Sequence, residues 1–254
     1  MQKETRMPIV EIPAFTDNII WGLQDGDHLL VVDPGEAAPV MRHLEREGLL
    51  LCGILITHHH ADHVGGIGDL LAMAPLASLD IPIYGPSACL PHGVNTVVQE
   101  GDVVEFESMD IRLSVFAVPG HTEDHIAYFG FASDATPRLF CGDTLFAAGC
   151  GRLLGGTAAQ LHSSLQRLAQ LPPETVIYCA HEYTLGNLLF ASHAHPGHEG
   201  IQTRLSEVRA RRQEGRSTLP TLLSTERATN PFLWAANVSE FASIRAAKDV
   251  FRAP

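Results

Sequence analysis

Side chains able to bind metal crowd into Thr57-His58-His59-His60-Ala61-Asp62-His63, directly behind the apolar run Leu49 to Ile56. His58 and His60 lie two apart, so in extended backbone they project to one side. Asp62 and His63 follow in the turn that Gly65-Gly66 leads toward a helix. Neutral imidazole and carboxylate suit Zn²⁺ and comparable first-row metals. Three further donors each stand at the end of a strand-like segment: His121 in Val118-Pro119-Gly120-His121-Thr122, Asp143 in Phe140-Cys141-Gly142-Asp143-Thr144, and His181 in Cys179-Ala180-His181-Glu182. Seven donors at one sheet edge are too many for a single ion and suit two, with one carboxylate shared. Such a pair favours the oxyanion that develops when a carbonyl is attacked. It also brings the pKa of bound water to about 7, so hydrolysis is the expected chemistry. Asp33, at a strand end, is a candidate for orienting a ligand imidazole from behind. His59 is expected to point away and His125 to be a structural partner. His193, His195 and His198, around Pro196-Gly197, read as a solvated loop.

The elements that must position these donors alternate between strand and helix. Asn18 to Gln24 and His28 to Val32 read as a hairpin across Asp25-Gly26-Asp27. Ala37 to Glu47 reads as a helix closed by Gly48. Leu49 to Ile56 has the continuous apolar character of a strand buried on both faces. Further strands are predicted at Ile111 to Val118, Ile126 to Phe131, Leu139 to Gly142 and Val176 to Cys179, with a helix from the Thr157 cap to Leu171. From Glu182 onward the pattern is mostly helical. Leu185, Leu188 and Leu189 share one face, Ile201, Leu205 and Val208 another, and Phe241, Ile244, Lys248 and Phe251 fall at helical spacing. The reading is an α/β domain followed by a small helical one.

Composition narrows the function. A net charge of −12 over 254 residues argues against a nucleic-acid partner. It leaves room for a small anion held by a few cations. No apolar run reaches a membrane span, and no signal peptide precedes Met7-Pro8-Ile9-Val10, so a cytoplasmic protein is expected. Met7 is as good a start as Met1. The five scattered cysteines, without a C-x-x-C pair, fit free structural thiols in a reducing compartment.

The order T-H-x-H-x-D-H, G-H-T, G-D, H resembles the metallo-β-lactamase superfamily. That resemblance implies an αββα sandwich over residues 1–181. It assigns His58, His60 and His121 to one metal and Asp62, His63 and His181 to the other, with Asp143 bridging. Asp62 and Asp143 are then the carboxylates of the catalytic centre, and a hydroxide bridging the metals is the nucleophile. Zinc is the first expectation, with iron or manganese compatible with the same ligands.

A narrower resemblance is to the glyoxalase II (hydroxyacylglutathione hydrolase) family. It rests on Ala148-Gly149-Cys150-Gly151-Arg152, Gly156-Thr157, His181-Glu182-Tyr183-Thr184, Asn230-Pro231-Phe232 and Arg245-Ala246-Ala247-Lys248-Asp249-Val250-Phe251. It implies a helical glutathione-binding domain at 182–254, with Arg152, Tyr183, Arg245 and Lys248 as the substrate contacts. The substrate would be S-D-lactoylglutathione or a related glutathione thioester, and the role methylglyoxal detoxification. Arg245 and Lys248, three apart, would share a helix face and grip carboxylate. Leu154 departs from the pattern, standing where some members place a glutathione-contacting Tyr. A thiolate leaves almost unaided, which agrees with the lack of a separate general-acid candidate.

The competing readings are a mononuclear-iron sulfur (persulfide) dioxygenase of the same superfamily, a β-lactamase, a nuclease and a non-catalytic binding module. The glyoxalase-like helical region, the missing export signal, the acidic charge and the complete ligand set count against them in turn. Oligomeric state is open, with a monomer as the default.

Overall fold

The computed structural model describes residues 8–73, 81–131 and 135–253. The choice between Met1 and Met7 as the start lies outside them. The chain forms two compact units, one of residues up to 117 with 124–142, the other of 118–123 with 143 onward.

In the first unit, β1 (Ile9–Ala14), β2 (Asn18–Asp25) and β3 (His28–Val32) form an antiparallel meander. Parallel β4 (Leu50–Leu55), β5 (Ile83–Gly85) and β6 (Thr96–Val97) extend the sheet. Asp25 pairs with His28, so Gly26 and Asp27 alone make the expected turn. Parallel pairing of β3 with β4 demands a crossover. That crossover is α1 (Ala37–Glu47), which ends at Gly48 with φ 67, a left-handed cap that glycine adopts without Cβ strain. Val40, Met41 and Leu44 of α1, with Ile67 and Leu70 of α3 (Ile67–Met73), pack on Leu29, Val31, Ile54 and Ile56 in a buried core. Each fully buried side chain of this size contributes roughly 1.5–3 kcal/mol.

The opposite layer is antiparallel: β7 (Val103–Phe106), β8 (Ile111–Ala117), β9 (Ile126–Phe131) and β10 (Pro137–Gly142). Phe106 occupies the space left by Gly53. Tyr128, fully buried, donates its hydroxyl to Ile56 O at 2.9 Å and Tyr84 O at 3.2 Å. The two layers thus meet face to face through aromatic residues. Strands β1, β5, β6 and β7 add to those expected, and β4 is one residue shorter at each end than its apolar run.

The second unit contains the hairpin β11 (Leu145–Phe146) and β12 (Gly149–Cys150), α4 (Ala158–Leu168), and β13 (Val176–Cys179) paired with β14 (Thr221–Leu222). A capping box starts α4: Gln160 N–H donates to Thr157 Oγ1, and Thr157 N–H to Gln160 Oε1. That helix stops three residues short of the expected Leu171. The remaining helices are α5 (Thr184–Ala194), α6 (Glu199–Gln213), α7 (Leu223–Thr229), α8 (Pro231–Trp234) and α9 (Val238–Val250). The faces read separately from sequence are partners: Leu188 and Ala191 of α5 pack on Ile201, Leu205 and Val208 of α6, with Leu185 and Leu189 against them. Strand β14 interrupts the mostly helical tail. Among the described residues no helix is long and apolar enough to cross a membrane.

Candidate metal centre

Past β4 the chain runs outside helix and strand to His60, whose extended backbone caps the single turn α2 (Ala61–Val64). This geometry gathers four donors. His58 Nε2 lies 3.0 Å from His60 Nδ1, and His63 Nε2 lies 3.7 Å from Asp62 Oδ2. The donor atoms of His58 and His63 are also within 4.8 Å of each other.

Behind them stands Asp33, buried and at φ 52, a left-handed conformation that Asp tolerates better than most residues. Its Oδ1 accepts from Thr57 N–H at 2.8 Å and its Oδ2 from Thr57 Oγ1 at 2.7 Å. His63 Nδ1 is 3.0 Å from the same Oδ2. Thr57 gives its one hydroxyl proton to Asp33, so at 3.1 Å it accepts from His58 Nδ1. Both imidazoles therefore carry their proton on Nδ1 and keep the Nε2 lone pair for a metal. His125 Nδ1 donates to Ile126 O at 3.0 Å, and its ring stacks on His58 at 4.6 Å. His59 turns away to Asp124, 3.2 Å distant. Asn18, which no motif singled out, donates to Asp62 Oδ2 at 3.1 Å.

The second unit holds three more candidate donors. Asp143 offers one oxygen to each histidine: Oδ2 is 3.4 Å from His121 Nε2 and Oδ1 is 3.3 Å from His181 Nε2. His121 Nδ1 donates to Arg152 O at 2.8 Å, again leaving Nε2 as the donor atom. Gly151 is required here, since a Cβ would lie 2.0 Å from Asp143 O. His181 stacks on Tyr183 at 4.7 Å, and Phe146 packs edge-on against both rings. Imidazole and carboxylate are the donor types that divalent transition metals take, and in both units imidazole nitrogens and carboxylate oxygens converge. The residues fit such ions.

Three side chains that sequence reading missed or left as a motif clamp the β11–β12 hairpin that carries Phe146. Asn187 donates to Ala147 O at 3.0 Å, and Asn230 to Phe146 O at 3.2 Å and Gly149 O at 3.0 Å. Glu226, fully buried, accepts from Ala148 N–H at 2.7 Å, from Thr221 Oγ1 at 2.7 Å and from Arg204.

The expected substrate contacts differ among themselves. Arg152 is 70% exposed at its side chain, and Tyr183 is exposed. Lys248 donates to Gly186 O at 3.1 Å beside the rings of Phe190 and Phe251. Burial, with Arg245 and Arg152 adding to it, pushes its pKa down to about 8. Arg245, expected among the substrate contacts, has its donors engaged within the protein. It is buried, with Nε and Nη2 on Asp249 Oδ1 at 3.2 and 2.9 Å and Nη1 on Cys150 O at 3.0 Å. The carboxylate one helical turn on and the open carbonyl of the loop take up its donors. Leu154 is exposed.

The histidines around Pro196-Gly197 are more engaged than a solvated loop would be. His198 accepts from Ile201 N–H as the cap of α6 and stacks on Trp234 at 4.9 Å, while His195 meets the same ring edge-on. All five cysteines are free thiols. Burial pushes Cys89 and Cys179 up to about 12 and Cys52 and Cys150 to about 11, which suits packing rather than nucleophilic roles.

Residues 19–181 match the family model of the metallo-beta-lactamase superfamily, which sets the class. Residues 182–251 match the hydroxyacylglutathione hydrolase C-terminus. The hydroxyacylglutathione hydrolase of Cupriavidus taiwanensis is 49% identical over 229 residues, covering 89% of this chain and 86% of that protein. That of Hahella chejuensis is 47% identical over 262 residues, covering 96% and 99%. The crystal structure of ETHE1 from Myxococcus xanthus superposes with a TM-score of 0.69 at 26% identity, covering 97% of this chain and 93% of that one. The chain belongs to the hydroxyacylglutathione hydrolase family, with the metallo-β-lactamase fold followed by a C-terminal helical region.

Proposed function

We propose that this chain hydrolyses S-D-lactoylglutathione and related glutathione thioesters to a 2-hydroxy acid and glutathione, the chemistry of methylglyoxal detoxification. His58, His60 and His121 would hold one divalent ion and Asp62, His63 and His181 a second, with Asp143 shared. The observation that carries this reading is Asp143, whose two oxygens each face a different histidine at 3.3–3.4 Å, an arrangement that suits a shared carboxylate. Two bound divalent ions supply Lewis-acid charge for the thioester carbonyl and make hydroxide available near neutral pH. Zinc is proposed first, with iron or manganese fitting the same donors.

The protein's own contribution is orientation. Asp33, through Thr57 and His63, fixes the tautomers of two ligands, the Arg152 carbonyl fixes that of His121, and Asn18 aims Asp62. Tyr183, stacked on His181, ties a metal ligand to a substrate contact. We assign Arg152, Tyr183 and Lys248 to glutathione. Arg245 belongs with them by holding the Cys150-Gly151 carbonyls and orienting Asp249, which lies 4.0 Å from Arg152 Nε. Glutathione thiolate, from a thiol of pKa near ~8.5, needs no protonation to leave. We further propose residues 1–181 as the catalytic domain and 182–254 as the glutathione domain of a monomeric, cytoplasmic enzyme. Purified protein should release glutathione from S-D-lactoylglutathione. Oxygen uptake with glutathione persulfide and no thioester turnover would instead support a single-iron dioxygenase.

A further inference from the structure

Phe15 sits in the β1–β2 turn with φ 47, a conformation unfavourable for a bulky side chain, and over half of its surface is exposed. An exposed, strained aromatic persists only where its surroundings hold it. The hold is visible: Phe15 N–H donates to Glu36 Oε2 at 2.6 Å. Where its ring is held is the informative point. A single Cβ placed on Gly35 would lie 1.9 Å from Asp62 O and 2.9 Å from Phe15 Cε2. Both atoms press on the same point above Gly35, so an exposed aromatic edge lies close to the backbone oxygen of a candidate metal ligand. The turn is fixed to Asp62 from its other end as well, since Asn18, three residues on, donates to the Asp62 carboxylate.

We infer that Phe15 is a specificity-determining residue that contacts the acyl group of the thioester, favouring acyl groups with apolar or aromatic bulk. This inference rests on the proposed thioester hydrolysis. The strain is then retained because it keeps the edge of the ring beside Asp62.

The test compares kcat/KM for S-D-lactoylglutathione with that for the glutathione thioester of an aromatic 2-hydroxy acid, in wild type, Phe15→Ala, Phe15→Gly and Phe15→Trp. An aromatic contact of ordinary strength predicts that Ala and Gly lower the aromatic-to-lactoyl ratio about 3- to 10-fold, while Trp retains it. Gly accepts φ 47 without strain, so Phe15→Gly should unfold at a higher temperature than Phe15→Ala yet lose selectivity equally. An unchanged ratio in Ala and Gly, with wild type hydrolysing lactoylglutathione, overturns this inference alone. Wild type hydrolysing neither thioester overturns the proposed function and this inference with it.

Discussion

Asp33→Asn separates ligand orientation from folding more cleanly than any other single change at this site. Asn tolerates φ 52 about as well as Asp, so the backbone conformation is not at issue. Its carbonyl can still accept from Thr57 N–H, now made to Oδ1 at 2.8 Å. The amide, however, puts N–H donors where Oδ2 receives Thr57 Oγ1 at 2.7 Å and His63 Nδ1 at 3.0 Å. His63 must then turn its proton onto Nε2, the atom that should bind metal. Thr57, no longer donating to residue 33, turns its hydroxyl toward His58 Nδ1, 3.1 Å away, and drives the same tautomer change there. Loss of such an orienting partner typically costs 10–100-fold in metal affinity, about 1.4–2.7 kcal/mol. Two ligands on one carboxylate place the expectation near the upper end. Competition with a graded chelator, read by elemental analysis, measures it, and added metal should restore part of the thioesterase activity. An Asp33→Asn variant that folds, retains metal with wild-type affinity and turns over normally would refute the assignment of Asp33 as the residue that sets both tautomers.

Two further outcomes follow from other parts of the structure. Lys248 is cationic below about 8 and neutral above it. KM for an anionic glutathione thioester should therefore rise as pH climbs through that value, and Lys248→Arg, charged throughout, should flatten the rise. A KM that stays constant from about pH 7 to 9.5 in wild type would remove Lys248 from substrate binding. Glu226→Gln leaves Arg204 without its buried counter-ion and should destabilise the protein by roughly 3–5 kcal/mol in denaturant unfolding. A loss below about 1 kcal/mol would show that the hairpin clamp does not depend on that charge.

The donors were legible because each follows an apolar strand and together they repeat a spaced pattern in which chain order, residue type and position agree. The orienting partners were less so. Asn18 lies 44 residues from Asp62 in sequence, and an amide at a strand start carries no periodic signal. Glu226 is a buried carboxylate whose partners Ala148 and Arg204 lie 78 and 22 residues away in the chain. The engagement of Arg245 with Asp249 was not legible, because helical spacing says which residues share a face and not whether that face is open. Strands β5 and β6, of three and two residues, are too short to display alternation, and Pro13 obscures β1. Neither the strain at Phe15 nor that at Asp33 leaves any mark on composition or spacing.

The most direct measurement is a thioester assay and a metal count on one preparation. The seven-donor reading predicts two divalent ions per chain and release of glutathione from S-D-lactoylglutathione, both lost on exhaustive chelation. A fully metallated sample that holds a single ion, or that leaves the thioester intact, would contradict it.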